Sequence, residues 1–263
     1  MFRRARILTT IAVASIILGS TVACTAQHPA ASPSVASPVI TPSAAPSVTP
    51  TPTPVPTVPT FNKSAKSITD PNSIWVVVNK LRPLNPKTYS PPDIVTIPVA
   101  HTNPAQMRKA AADALVAMFA AGKSAGAGSM QVQSSWRPYA SQVHVYNGWV
   151  ASLGKTQADR QSARPGYSEH QTGLAVDISS VPLRCTLAAC FGTTSQGKWL
   201  AANAWKFGYL LRYPADKTKI TGYEYEPWHF RYIGLALSTE MHKEGVETLE
   251  EFFGLPAAPD YAK

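Results

Sequence analysis

The apolar positions of this chain fall into blocks of different period, and a long stretch before them has no period at all. Residues 25–60 are almost all Ala, Ser, Thr, Pro and Val, without one Lys, Arg, Asp or Glu. Such a segment lacks the apolar surface for a core, and its prolines, recurring from Pro29 to Pro59, predict an extended tether of about 3 Å per residue. Folded structure is expected over 61–263, roughly 200 residues, enough for one sizeable core. There, residues 75–78 form a continuous apolar run that predicts a buried strand. Asn103-Pro104 offers a cap followed by proline, and Met107, Ala111, Leu115, Met118 and Phe119 then recur at helical spacing up to a stop between Gly122 and Gly128. Residues 130–134 predict a strand, and a second helix from about Tyr139 would bury Val143, Tyr146, Val150 and Leu153. Residues 174–178 predict another strand, 196–206 a helix, 209–212 and 228–233 extended pieces, with two closing helices after Gly234 and Gly245. Helices and strands in this mixed order predict an α+β domain.

The first residues change the picture of where the chain works. Arg3, Arg4 and Arg6 precede an apolar run over 7–18, and small residues lead to Cys24, the pattern of an export signal covering 1–23. The run is short for a membrane span, an uncleaved anchor being the alternative. Thr21-Val22-Ala23-Cys24 resembles the lipobox of bacterial lipoproteins, in which the cysteine is lipidated; plain cleavage near Ala23 or Ala26 is the other option. The chain has three cysteines, and an odd number in an exported protein needs an explanation. With Cys24 lipidated, Cys185 and Cys190 remain to close a small loop by a disulfide worth roughly 2 kcal/mol on the chain-entropy view. A cysteine metal site would need further ligands nearby. The formal net charge is +9, which suits an anionic cell envelope, whereas scattered cations and export argue against nucleic acid. The expectation is an exported monomer of the cell envelope, lipid-anchored at the outer face of the cytoplasmic membrane.

Two distant segments carry the chemistry: Ser168-Glu169-His170 with Asp177, and Glu226-Pro227-Trp228-His229. His170, Asp177 and His229 supply the three protein ligands that a hydrolytic zinc ion uses, one ion per chain, with a fourth position free for water. A helical ligand pair is excluded because Pro227 disfavours helix at Glu226. The ligands must come from strands and loops. His170 and Asp177 are an odd number of residues apart and would face opposite ways on one straight strand, so Gly173 is expected to bend the chain and Pro227 to turn it. Glu226 is the candidate general base. Glu169 and Glu224 read as solvated surface acids, and His28, His101, His144 and His242 as surface or core histidines.

These segments, with Ser135-Trp136-Arg137-Pro138-Tyr139, the run Ala163-Arg164-Pro165-Gly166-Tyr167 before Ser168, and Arg212-Tyr213-Pro214, resemble the VanY-type zinc D-Ala-D-Ala carboxypeptidases. The resemblance implies a Hedgehog/D-Ala-D-Ala-peptidase-like single domain, a small antiparallel sheet flanked by helices. It implies zinc on His170, Asp177 and His229, Glu226 as base, and Arg137 polarising the scissile carbonyl. Gln142, Ser168, Tyr213 and Trp228 match positions lining the peptide site. The implied substrate is the peptidoglycan stem peptide, losing its C-terminal D-alanine at a D,D or L,D bond. A peptidoglycan endopeptidase and a non-catalytic wall-binding lipoprotein are the alternatives. Two departures stand out: Ser134-Ser135-Trp136-Arg137-Pro138 replaces the family's usual Ser-Gly-Tyr-Arg-Ser, and 182–194, with its cysteine pair, reads as an insertion beside the site.

Overall fold

The computed structural model describes residues 60–262. The expected signal 1–23, Cys24, His28 and nearly all of the tether 24–60 lie outside the described residues. In chain order the elements are β1 (Ile94–Thr96), β2 (Gln106–Arg108), α1 (Lys109–Ser124), β3 (Ser129–Ser134), α2 (Tyr139–Leu153) and α3 (Lys155–Gln161). There follow β4 (Ala175–Val181), α4 (Ser195–Asn203), β5 (Tyr209–Leu211), α5 (Thr218–Thr221), β6 (His229–Tyr232), α6 (Leu235–Glu244) and α7 (Leu249–Phe252). β1 and β2 pair with each other, and the other four strands form one antiparallel sheet in the order β3-β4-β6-β5. The α+β expectation, with a small antiparallel sheet, holds.

Strand alternation gives this sheet two different faces. Val176, Ile178 and Phe230 join Ala111, Leu115 and Met118 of α1 in the main core, where the Tyr209 hydroxyl donates to the Ala111 carbonyl at 2.6 Å. The residues between them, Asp177, His229 and Arg231, point the other way, and β4–β6 pairing sets Asp177 directly opposite His229 and Ala175 opposite Arg231.

Three local expectations need correction. Residues 75–78 are buried but join no sheet among the described residues: Trp75 and Val77 pack in a second core with Leu237 and Phe252, while Val76 and Val78 enter the main one. A continuous apolar run satisfies both neighbours without a strand ladder. The first helix begins at Lys109, not at Pro104, because the backbone before it is already engaged. Gln106 NH donates to Ser135 Oγ, Trp136 NH to the Gln106 carbonyl, and Arg108 NH to the Gly173 carbonyl, which holds Met107 extended though fully buried. On α2 the buried residues are Gln142 and Tyr146, and Leu153 is exposed. Polar bonds, Tyr146 Oη to Asp159 at 2.7 Å among them, turn this helix further than its apolar period predicts.

Gly173 makes the expected bend, with φ +69° at the end of a one-turn 3-10 helix, Glu169–Thr172. A Cβ there would stand 2.7 Å from Ile94 Cδ1 and 2.9 Å from Arg108 Cγ. Gly173→Ala combines left-handed backbone strain with this crowding, and we expect it to lower stability by about 1–3 kcal/mol in urea unfolding. An unchanged unfolding midpoint would show that the bend tolerates a side chain.

Candidate metal centre and active site

Each candidate ligand is delivered by a separate device. His170 lies on the 3-10 turn before Gly173, Asp177 on β4, and His229 begins β6 after a turn in which its NH donates to the Glu226 carbonyl at 3.1 Å. Pro227 occupies the first central position of that turn, where its fixed φ is preformed. The bend at Gly173 and the turn at Pro227 are both as expected from sequence. Cross-strand pairing of Asp177 and His229 puts their side chains on one face, at the separation that lets such neighbours touch.

The three side chains converge in a buried cluster whose ligand atoms lie within 4.8 Å of one another. His170 Nε2 is 3.2 Å from Asp177 Oδ2, and His229 Nδ1 is 3.0 Å from Asp177 Oδ1. Ligands sharing one tetrahedral zinc ion would stand about 3.3 Å apart at the usual bond lengths. The outer nitrogens decide the tautomers. His170 Nδ1 donates to the Ser135 carbonyl at 2.7 Å, and His229 Nε2 donates to Glu169 Oε2 at 3.3 Å. With zinc bound, each imidazole would present its other nitrogen, unprotonated, on the Asp177 side, the arrangement by which neighbouring acceptors orient zinc-binding histidines. The donor set fits zinc.

Glu169 overturns its reading as a solvated surface acid. It is fully buried, and its Oε1 accepts from Arg212 Nε and Arg231 Nη1, both at 2.9 Å. Arg212 also makes a bidentate pair with buried Glu250, at 2.7 and 2.9 Å. Burial would raise the Glu169 pKa, but the two guanidinium groups and His229 hold it well below the usual carboxylate range. The sequence did hold a signal for this: Arg212 follows Leu210-Leu211 and Arg231 sits between Phe230 and Tyr232, and an arginine in an apolar strand must find a buried acid. Glu224, by contrast, is exposed as expected, as are His101, His144 and His242.

The cleft beside the cluster has a volume of about 360 Å³, and Arg137, Ser168, Tyr213, Glu226 and Trp228 line it with the ligands. Glu226 lies 3.9 Å from His229 Nδ1. Its carboxyl is 17% exposed toward the cleft, yet burial carries its pKa up to about 8, with His229 and Arg137 opposing and Asp177 adding to the rise. An adjacent divalent cation would lower it again. Arg137 donates through Nη1 to Gln142 Oε1 at 2.9 Å and through Nη2 to Ser134 Oγ at 2.8 Å. Gln142 is separate from the cleft lining: it is buried behind Arg137, its amide donating to Ala163 O and Ser162 Oγ. It braces the arginine. Cys185 and Cys190 are joined by a disulfide, as expected.

Two outcomes follow. Glu169→Gln keeps the volume but leaves Arg231 without its carboxylate, so it should cost about 3–5 kcal/mol in urea unfolding and weaken zinc binding roughly 10–100-fold in chelator competition. Full zinc affinity in that variant would show that Glu169 does not orient His229. In the metal-free site burial disfavours charge on His229, but bonds to Asp177 and Glu169 outweigh it and carry its pKa to about 9. Below that pH a proton occupies the imidazole and must leave before metal binds. Zinc affinity should therefore rise at least about tenfold per pH unit between about pH 6 and 8, with at least one proton released per ion in calorimetry across buffers; a flat profile would contradict this.

Residues 104–235 match the VanY family, described as D-alanyl-D-alanine carboxypeptidase. YodJ of Bacillus subtilis (strain 168), a protein assigned to the carboxypeptidases, is 41% identical over 193 residues, 72% of this chain and 70% of the relative. Among solved structures, the LdcB LD-carboxypeptidase is 41% identical with a TM-score of 0.65, over 70% of this chain and 87% of that one. A vancomycin-resistance D,D-pentapeptidase VanY, solved in complex with Zn(II), is 30% identical with a TM-score of 0.56, over 68% and 98%. Sequence, fold and ligand set agree, and the chain belongs to the VanY family of zinc D-alanyl-D-alanine carboxypeptidases.

Proposed function

We propose that this chain is a zinc carboxypeptidase that removes the C-terminal D-alanine from peptidoglycan stem peptides. The observation that carries the reading is convergence: His170, Asp177 and His229 share one cleft with a half-buried carboxylate, Glu226, and a half-buried guanidinium, Arg137. When bound, zinc supplies Lewis acidity and makes water acidic near neutrality. Glu226 takes a proton from the attacking water and returns it to the departing amine, a transfer for which a carboxylate beside the ligands but not among them is suited. Arg137, braced by Gln142 and Ser134, aims its remaining N–H groups at the carbonyl oxygen as negative charge grows there. Ser168, Tyr213 and Trp228 bound the space for the terminal residue.

The fuller likeness to the L,D-carboxypeptidase supports the bond between an L-residue and the terminal D-alanine of a tetrapeptide as the one cut. The leader over 1–23, the uncharged segment over 24–60 and Cys24 support export and a lipid-anchored position at the outer face of the cytoplasmic membrane, with the 61–263 domain at work in the wall.

The test is mass spectrometry of tetrapeptide and pentapeptide stem peptides after incubation with the zinc-loaded protein. We expect loss of one D-alanine, fastest from the tetrapeptide, abolished by chelation. Glu226→Gln should slow release at least about a hundredfold while binding one zinc per chain. Release at the normal rate from that variant would remove Glu226 as base. Zinc binding with no product from any stem peptide would instead favour a wall-binding protein, and internal cleavage an endopeptidase.

A further inference from the structure

The peptide unit joining Ala163 to Arg164 is bonded at both of its edges. Its carbonyl, on Ala163, accepts from Gln142 Nε2 at 2.7 Å, and its N–H, on Arg164, donates to Tyr261 Oη at 2.8 Å. Because a peptide unit is planar and stiff, whatever fixes the N–H also aims the carbonyl. The Gln142 side chain repeats the device: its amide is planar too, and its Oε1 accepts from Arg137 Nη1 at 2.9 Å. Two flat amides in series thus connect a tyrosine hydroxyl to the guanidinium of the cleft. The orientation of the second one matters, because a guanidinium only donates. With its nitrogen bonded to Ala163 O and Ser162 Oγ, Gln142 turns its oxygen toward Arg137.

Tyr261 is itself held on several sides. Residues 255–261 follow α7 outside any helix or strand, and fully buried Ala258 donates its NH to the Ile220 carbonyl at 2.7 Å. Buried Lys80 donates to the Pro259 carbonyl at 3.2 Å and to the Gly222 carbonyl. The Tyr261 ring lies 4.0 Å from the Arg164 guanidinium stacked over it and meets Tyr167 edge-on, the ring centroids 5.1 Å apart. Its hydroxyl is 3.4 Å from that of Tyr223, which lines the cleft. Residues 162–168, between α3 and the 3-10 turn, also lie outside any helix or strand, so the 255–261 arm supplies a constraint that secondary structure does not. We propose that Tyr261, which lies beyond the residues matched to the VanY family, is a positioning residue for the reaction: through the Ala163–Arg164 peptide and Gln142 it keeps Arg137 aimed at the carbonyl oxygen on which charge grows. An aim that matters most as charge grows acts on kcat more than on KM.

This assignment rests on the carboxypeptidase reading, and the experiment separates the two. Steady-state release of D-alanine from tetrapeptide and pentapeptide stem peptides is measured for the zinc-loaded parent, Tyr261→Phe, Gln142→Leu and the double variant, with bound zinc determined for each. Tyr261→Phe keeps the ring and its stacking and removes only the hydroxyl. It should lower kcat about fivefold, leave KM within about twofold and still bind one zinc per chain. In the Gln142→Leu background the same substitution should change kcat less than about 1.5-fold, because the relay is already broken there. An unchanged kcat in Tyr261→Phe, a full further loss in the Gln142→Leu background, or a loss of rate matched by a loss of bound zinc would each overturn the relay while leaving the reaction standing. A zinc-loaded parent that releases D-alanine from neither peptide would overturn both.

Discussion

One buried carboxylate holds the active region together. Glu169 faces Arg212, Arg231 and the outer nitrogen of His229, and all four are buried. Buried ions of this kind are costly to strand and gain little over an apolar substitute, so the group is better understood as a positioning device than as a source of stability. Through Arg212 it reaches Glu250 on α7, and through Arg231 Nη2 it reaches the Val76 carbonyl at 2.7 Å. Those contacts fix the ring of His229 by reference to the start, the sheet and the end of the folded chain.

The antiparallel sheet does the rest of the placing. Because β4 and β6 set Asp177 against His229, a one-residue slip of either strand would turn its ligand to the apolar face and bring Val176 or Phe230 to the cleft instead. The main core on the opposite face prevents that slip. Packing and metal geometry are thus two readings of one register, and Ala175 leaves room across from Arg231 for its long side chain.

The three-residue metal cluster, the glycine bend and the proline turn were legible because each rests on local chemistry: a left-handed position, a fixed φ, or a donor type that zinc accepts. Glu169 was not, since its partners lie far away in sequence and a glutamate beside a histidine looks polar and exposed from its neighbours. The role of Gln142 behind Arg137 depends likewise on Ala163 and Ser162, which no spacing rule connects to α2. Apolar period located α1 but not its first turn, because backbone pairing by Gln106 and Arg108 overrode a good local start at Asn103-Pro104.

The extended run from Trp75 to Val78 has a consequence for cooperativity. Its side chains alternate between two apolar clusters, so neither cluster can come apart without stripping the other of two residues. The helices α6 and α7 and the catalytic sheet, already in contact through Leu210 and Arg212, are thereby joined further. A cut or stretch in this short length of chain would be felt at the zinc ligands, through Arg231, as directly as a change in the cleft.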